Sequence, residues 1–195
     1  MIAIVDLDIG NFANVEKALS GRVTKDRNVI ARADKLVLPG VGNFGEAARS
    51  LKGLRDVILE RIESGVPFLG ICLGMQLLFP ASSEAEGNGL GLFRGEVKRL
   101  PRVAAPHIGW NQVFPRGKNE ILADVPSGSY FYFVHSFYVK PVNREYVIGT
   151  TEYEVNGEIR EFPSAVRRDN VYGVQFHPEK SSKKGLRVLQ NFKEL

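Results

Sequence analysis

A single cysteine, Cys72, in a chain of 195 residues leaves no partner for an internal disulfide. Long apolar runs are also missing. The longest mostly apolar stretch, Pro67 to Ala81, is too short to span a bilayer and is interrupted by Gly70 and Gly74. The opening Ile2-Ala3-Ile4-Val5-Asp6 has no basic start and no signal-peptide pattern. Helix-turn-helix, zinc-finger and aromatic RNA-reading patterns are absent, and the basic residues are scattered. The three histidines, His107, His135 and His177, share no metal-ligand spacing with each other or with Cys72. These absences argue against nucleic acid, membrane, metal and cofactor, and make a cytoplasmic location the default expectation.

What is present is the composition of a globular protein, 44% apolar and 25% charged, with a formal net charge of +4. The length suits one domain over residues 1–195. Short apolar runs at Ile2 to Val5, Leu36 to Leu38 and Phe68 to Ile71 read as buried strands, with a weaker one at Arg22 to Thr24. Helices are expected over Asn11 to Ser20, along Leu51, Leu54, Ile58 and Ile62, and over Leu73 to Phe79. Tyr130 to Val139, Tyr146 to Tyr153, Arg160 to Arg168 and Val171 to Phe176 are strand-like. They are separated by Asn143, Asn156-Gly157 and Asp169-Asn170. A last helix is expected near Lys183 to Lys193. The alternation predicts an α/β domain, with a largely parallel sheet and antiparallel strands added in the C-terminal half.

Gly70-Ile71-Cys72-Leu73-Gly74 lies where a buried strand hands over to a helix. That is the layout of a nucleophile elbow, with cysteine in the serine position. A sharp turn of this kind pushes the nucleophile out of the sheet, and its flanking residues must be small because backbone passes close by. The N-terminus of a helix also favours negative charge. A thiol nucleophile needs a base that later returns the proton, and histidine serves both roles near neutral pH. Only His177 has a carboxylate two residues on, in Phe176-His177-Pro178-Glu179. Following a strand, it should project from a strand end, with Pro178 stiffening a turn that lets Glu179 orient the ring. His135, inside a strand, is expected either to line the pocket or to be a satisfied core histidine.

The elbow and the His-x-Glu loop, in the order Cys…His…Glu, resemble the class I (triad) glutamine amidotransferases. Further segments narrow the resemblance to the branch serving histidine biosynthesis. They are Ile4-Val5-Asp6 with Gly10-Asn11, Leu38 through Gly45, Gly70 through Phe79, Pro106 through Asn111, Tyr132 through Ser136, and Gln175 through Ser181. Sister amidotransferases generally carry consecutive glycines where Val41 stands. The resemblance implies a flavodoxin-like open sheet with helices on both faces. It implies that Cys72 attacks the carboxamide of glutamine, with His177 and Glu179 completing the triad. It places oxyanion donors at Leu73 and within Gly40-Val41-Gly42, and substrate contacts at Gly40, Gln76, Glu84, His135 and Ser136. The first helix and second strand are shorter than the family pattern, and the stretch before Pro39 is about ten residues short of it, which puts those two elements in doubt.

Ammonia released into water is quickly protonated, so a synthetic glutaminase needs a protected path to its recipient. The resemblance supplies a separate (β/α)8-barrel cyclase, whose products would be imidazole glycerol phosphate and an aminoimidazole carboxamide ribotide. This chain lacks the eightfold βα pattern of such a barrel. Trp110, Asn111 and Lys180 are the candidate partner contacts. Because a β-branched residue resists positive φ, Val41 raises the expectation that the oxyanion peptide is misoriented until a partner docks. The alternatives that remain are a cysteine hydrolase or peptidase, a non-catalytic scaffold, and another triad glutaminase such as that of pyridoxal phosphate synthase.

Overall fold

Successive residues of the first strands belong to different cores. Ala3, Val5, Leu36 and Leu38 pack with one set of apolar side chains, whereas Ile4 and Val37 pack with another. The period of two in a strand sends neighbours to opposite faces, so the sheet must be covered on both. The structure, a computed structural model, describes residues 1–10 and 12–195, apart from the side chain of Val103. Its elements in chain order are β1 (Ile2–Val5), α1 (Ala13–Leu19), β2 (Arg22–Thr24), α2 (Arg27–Ala31), β3 (Lys35–Gly40), α3 (Phe44–Leu51), α4 (Arg55–Glu63), β4 (Phe68–Cys72) and α5 (Leu73–Gln76). They continue with β5 (Gly95–Arg99), β6 (His107–Pro115), β7 (Ser129–His135), β8 (Phe137–Pro141), β9 (Val147–Val155), β10 (Glu158–Arg168), β11 (Val171–Val174) and α6 (Ser182–Glu194).

The main sheet runs β2-β1-β3-β4-β11-β10-β9-β6-β7. The first five of these strands are parallel to their neighbours, and from β11 onward every pairing is antiparallel. The α/β expectation with an antiparallel extension therefore holds. Buried residues of α3, α4 and α5 cover one face, and those of α1 and α6 cover the other. The apolar stripes fit: Phe44, Ala47, Ala48 and Leu51 on α3, and Val188, Leu189 and Phe192 on α6, at gaps of one, three and four.

Several expected boundaries move. The helix expected through Leu51 and Leu54 is two helices, because residues 52–54 close as a tight turn (Leu54 N to Leu51 O, 2.9 Å) around Gly53. The helix after Cys72 ends at Gln76 rather than Phe79. Leu77 N still donates to Leu73 O (2.9 Å), but Leu78 N and Phe79 N turn to Met75 O (3.2 Å) and Gln76 O (3.0 Å), so the last turn tightens to i−3 pairing. The free carbonyls of Leu77 and Leu78 are met by the N–H groups of Leu90 (2.6 Å) and Leu92 (2.8 Å). The strand expected over Tyr130 to Val139 breaks at Ser136. Its first half pairs with β6, and its second half pairs with β5 in a separate two-stranded sheet. α2, β5 and β6 were not foreseen. The doubted first helix and second strand both form, β2 pairing in parallel with β1, although the expected helix start at Asn11 lies outside the described residues. Asn156 and Gly157 make the expected hairpin turn, both with positive φ.

Candidate active site

β4 ends at Cys72 between β3 and β11, with Gly40 opposite Cys72 and Val174 opposite Ile71. Parallel pairing therefore brings Gly40-Val41-Gly42, Cys72 and the segment leading to His177 to one edge of the sheet, the edge where parallel sheets bind ligands. Cys72 has φ 55° and ψ −107°, a conformation that side chains resist. Gly74 is what makes this turn possible. A Cβ there would lie 1.7 Å from the carbonyl oxygen of Leu38, and one on Gly70 would lie 2.5 Å from that of Gly74. The elbow expected from the sequence is thus present, but α5 is barely one turn long. Its dipole contributes little, and the site's electrostatics rest on side chains.

The side chains of His177 and Glu179 are both buried, and His177 Nδ1 meets Glu179 Oε1 at 2.8 Å. A web of bonds clamps their turn. His177 N donates to Tyr132 O (2.9 Å), Tyr132 N donates to Ser181 Oγ (2.9 Å), and Ser181 Oγ donates to His177 O (2.6 Å). α6 presses directly on this turn, since a Cβ on Gly185 would sit 2.0 Å from Pro178 O. With Nδ1 committed to Glu179, Nε2 is the working nitrogen. It is buried and has no hydrogen-bond partner among the described residues. Burial alone would lower the pKa of His177. The Cys72 side chain and then Glu179 outweigh it and hold the value up at about 9.

A cleft of about 480 Å³ opens in front of the cysteine. Val41, Gly42, Leu73, Gln76, Glu84, His135, Ser136 and Lys180, all singled out in the sequence, line it together with Cys72. Gly40 lies instead on a smaller recess of about 100 Å³ behind, which His177 and Glu179 also line. Gly42 has φ +115°, whereas Val41 is not among the residues of positive φ. Glu84 accepts from the backbone N–H of Phe44 (2.8 Å) with one oxygen. Gln76 Nε2 donates to Phe137 O at 3.0 Å.

His135 proves to be both of the things the sequence left open. It is buried and it lines the cleft. Its Nδ1–H donates to Phe137 O (2.8 Å), so its Nε2 accepts from His107 Nδ1 (3.0 Å), and His107 Nε2 accepts from Asn111 Nδ2 (3.0 Å). Asn111 is held in that orientation by Glu152 O (2.8 Å) and by the N–H of Gln112 (2.7 Å). Its amide is therefore engaged within the chain. Trp110 is 53% exposed and stands beside Tyr132 (ring centroids 6.2 Å apart), over whose ring Lys180 Nζ lies at 5.9 Å.

Sequence reasoning assigned no role to Gln175 or His107. Gln175 is fully buried, and its Nε2 donates to Cys72 Sγ at 3.6 Å. The available signal was an amide inside the otherwise apolar run Val171 to Phe176.

A thiol at a strained turn, a buried imidazole held by a carboxylate and a cleft lined by backbone turns form a constellation for acyl transfer through a thioester. The family model for class-I glutamine amidotransferases matches residues 18–195. Imidazole glycerol phosphate synthase subunit HisH of Thermococcus kodakarensis is 55% identical over 196 residues, with each chain covered in full. The same subunit of Pyrococcus furiosus is 54% identical, over all of this chain and 98% of its own length. The subunit of Methanocaldococcus jannaschii is 43% identical with both chains covered in full. The short first helix and second strand are thus compatible with a full-length match. Among solved structures, PurLQS from Thermotoga maritima superposes with a TM-score of 0.78 at 18% identity, covering 98% of this chain and 96% of that one. A glutamine amidotransferase from the same organism gives 0.63 at 18%, covering 99% of this chain and 82% of its own. These two likenesses bear on the fold alone. From the match of family model and full-length relatives, the chain belongs to the class-I glutamine amidotransferases and, within them, to the HisH subunits of imidazole glycerol phosphate synthase.

Proposed function

We propose that this chain hydrolyses glutamine to glutamate and ammonia at Cys72, His177 and Glu179. The ammonia passes to a separate cyclase subunit that makes imidazole glycerol phosphate and an aminoimidazole carboxamide ribotide in histidine biosynthesis. The observation that carries the chemistry is the buried His177–Glu179 pair whose unpartnered Nε2 is electrostatically coupled to the strained Cys72. The Cys72 thiol proton passes to His177 Nε2, a transfer that the raised His177 pKa favours, and the sulfur then adds to the carboxamide carbon. The oxyanion is met by the N–H of Leu73 and one from the Gly40-Val41-Gly42 turn. His177 returns the proton to the leaving ammonia, and water, deprotonated by the same ring, releases glutamate from the thioester. Gln76 and Glu84 hold the amino-acid end of glutamine, aided by the backbone at His135 and Ser136.

The recipient is a (β/α)8-barrel cyclase that docks over Trp110 and Lys180. Support comes from the exposed side chains of Ile108, Trp110 and Tyr130 on β6 and β7, of which Trp110 stands against Tyr132 of the cleft lining. Docking also turns the Val41 peptide, whose φ is not positive in the free chain, into an oxyanion donor. The test is to co-purify the chain with the cyclase and assay glutamine-dependent synthesis. The complex is expected to make product from glutamine, Cys72→Ala to bind the cyclase but use only added ammonia, and glutaminase to rise with the cyclase and its ligand. Glutamine-dependent synthesis by Cys72→Ala would remove the proposed nucleophile, and equal rates with and without the cyclase would remove the switch.

A further inference from the structure

Gln175 sits at the end of β11, fully buried, and its backbone N–H is already satisfied by Ser164 O (2.9 Å). Its side-chain amide is a buried polar group that would cost a few kcal/mol if unpaired. Both ends are paired, and the pairs fix which way the amide points. Oε1 accepts from Gln76 Nε2 at 3.2 Å, so Nε2 is the atom that faces Cys72 Sγ at 3.6 Å. Gln76 Nε2 is itself fixed, since it also donates to Phe137 O. The sulfur's other bond is weak, a 3.9 Å contact to Val134 O, while His177 Nε2 remains unpartnered. The hydrogen bonds to the thiol are therefore those of Gln175 and the Val134 carbonyl, with the His177 ring acting on it electrostatically.

We propose that Gln175 is a sulfur-positioning residue of the glutaminase: its amide N–H holds Cys72 Sγ in place and stays bonded to it as the proton leaves. This inference rests on the proposed role of Cys72 as nucleophile. When His177 Nε2 takes the proton, the S–H bond breaks and its electron pair stays on sulfur. The contact to Val134 O, which needs that hydrogen, is lost, whereas the bond from Gln175 strengthens because its acceptor is now charged. Through Oε1 the same amide also ties the sulfur to Gln76, which lines the cleft.

Gln175→Glu separates the two ends of the amide. A carboxylate keeps an acceptor for Gln76 and replaces the donor facing sulfur with an oxygen. In the complex with the cyclase, kcat for glutamine is expected to fall roughly tenfold to hundredfold, the weight of one hydrogen bond to a charged group, with KM changed less than about threefold. Alkylation of Cys72 in the full chain by iodoacetamide should slow by about tenfold or more. Gln175→Met, which buries no charge, should slow alkylation in the same direction and decides the matter if the acidic variant does not fold. A purely structural role gives the opposite sign: looser packing exposes the sulfur and speeds alkylation. Unchanged or faster alkylation in a folded variant, or an unchanged kcat, overturns the inference. Glutaminase activity surviving in Cys72→Ala would instead overturn the nucleophile assignment beneath it.

Discussion

Burying His135 as a neutral imidazole makes the fold sensitive to acid. The ring donates to Phe137 O and accepts from His107, so a second proton on His135 would set two N–H groups face to face. Shifting the His107 tautomer moves that conflict to Asn111, whose amide already points its N–H groups at His107 and Glu152 O. Burial is the main reason that the His135 pKa falls to about 3, with His107 and His177 adding to the effect and the Phe137 carbonyl opposing it. The unfolded chain binds this proton near 6.5, so its stabilising contribution is whole above about 6.5 and is lost as pH falls towards about 3. That gap corresponds to about 5 kcal/mol over the full window, of which about 2 kcal/mol is gone by about pH 5. His177 works in the opposite sense, which is why the measurement is a difference between variants. Urea unfolding of the wild type and of His135→Asn at about pH 7.5 and about pH 5 isolates the ring. The variant is less stable at the higher pH but should lose about 2 kcal/mol less on acidification. Equal losses, within about 0.5 kcal/mol, would refute the reasoning, as would an imidazole NMR signal of His135 that titrates near 6.5.

Removing the side chain at the strained elbow should invert the usual order of small residues. Cys72→Gly is expected to be more stable than Cys72→Ala by about 1–2 kcal/mol by thermal unfolding, because only glycine accepts φ 55° and ψ −107° without strain. Glu179→Gln removes one of the two groups that raise His177, so the variant's stability should vary less between about pH 6.5 and 9, where the raised pKa otherwise costs stability as pH rises. Its kcat should fall about a thousandfold or more, and a wild-type kcat would remove Glu179 from the triad. Trp110→Ala should weaken cyclase binding by about 2 kcal/mol in a titration, yet leave the melting temperature of the free chain almost unchanged, given its exposure.

Much of this molecule is local information. The apolar runs at residues 2–5, 36–38 and 68–71 read as buried strands, and the glycines around Cys72 announced a turn where backbone passes close to backbone. The His177-Pro178-Glu179 spacing is short enough for the carboxylate to reach its own imidazole, so that pair was legible without any tertiary contact. Elements stabilised by distant partners were not. β6 carries Gly109 and little strand signal, and exists because β7 and β9 pair with it. The helix after Cys72 stops early, its last N–H groups turning to i−3 carbonyls, and the carbonyls of Leu77 and Leu78 are met by residues 90 and 92, which the local sequence does not announce. Gln175 and His107 read as unremarkable polar residues until β11 placed one against the sulfur and β6 placed the other against His135. Side-chain periodicity and turn chemistry are properties of neighbours in sequence, so the chain itself determined the parallel core, the elbow and the imidazole–carboxylate pair. Which buried amide or imidazole meets which partner depends on strands far apart in the chain coming together, and only the tertiary structure decided that.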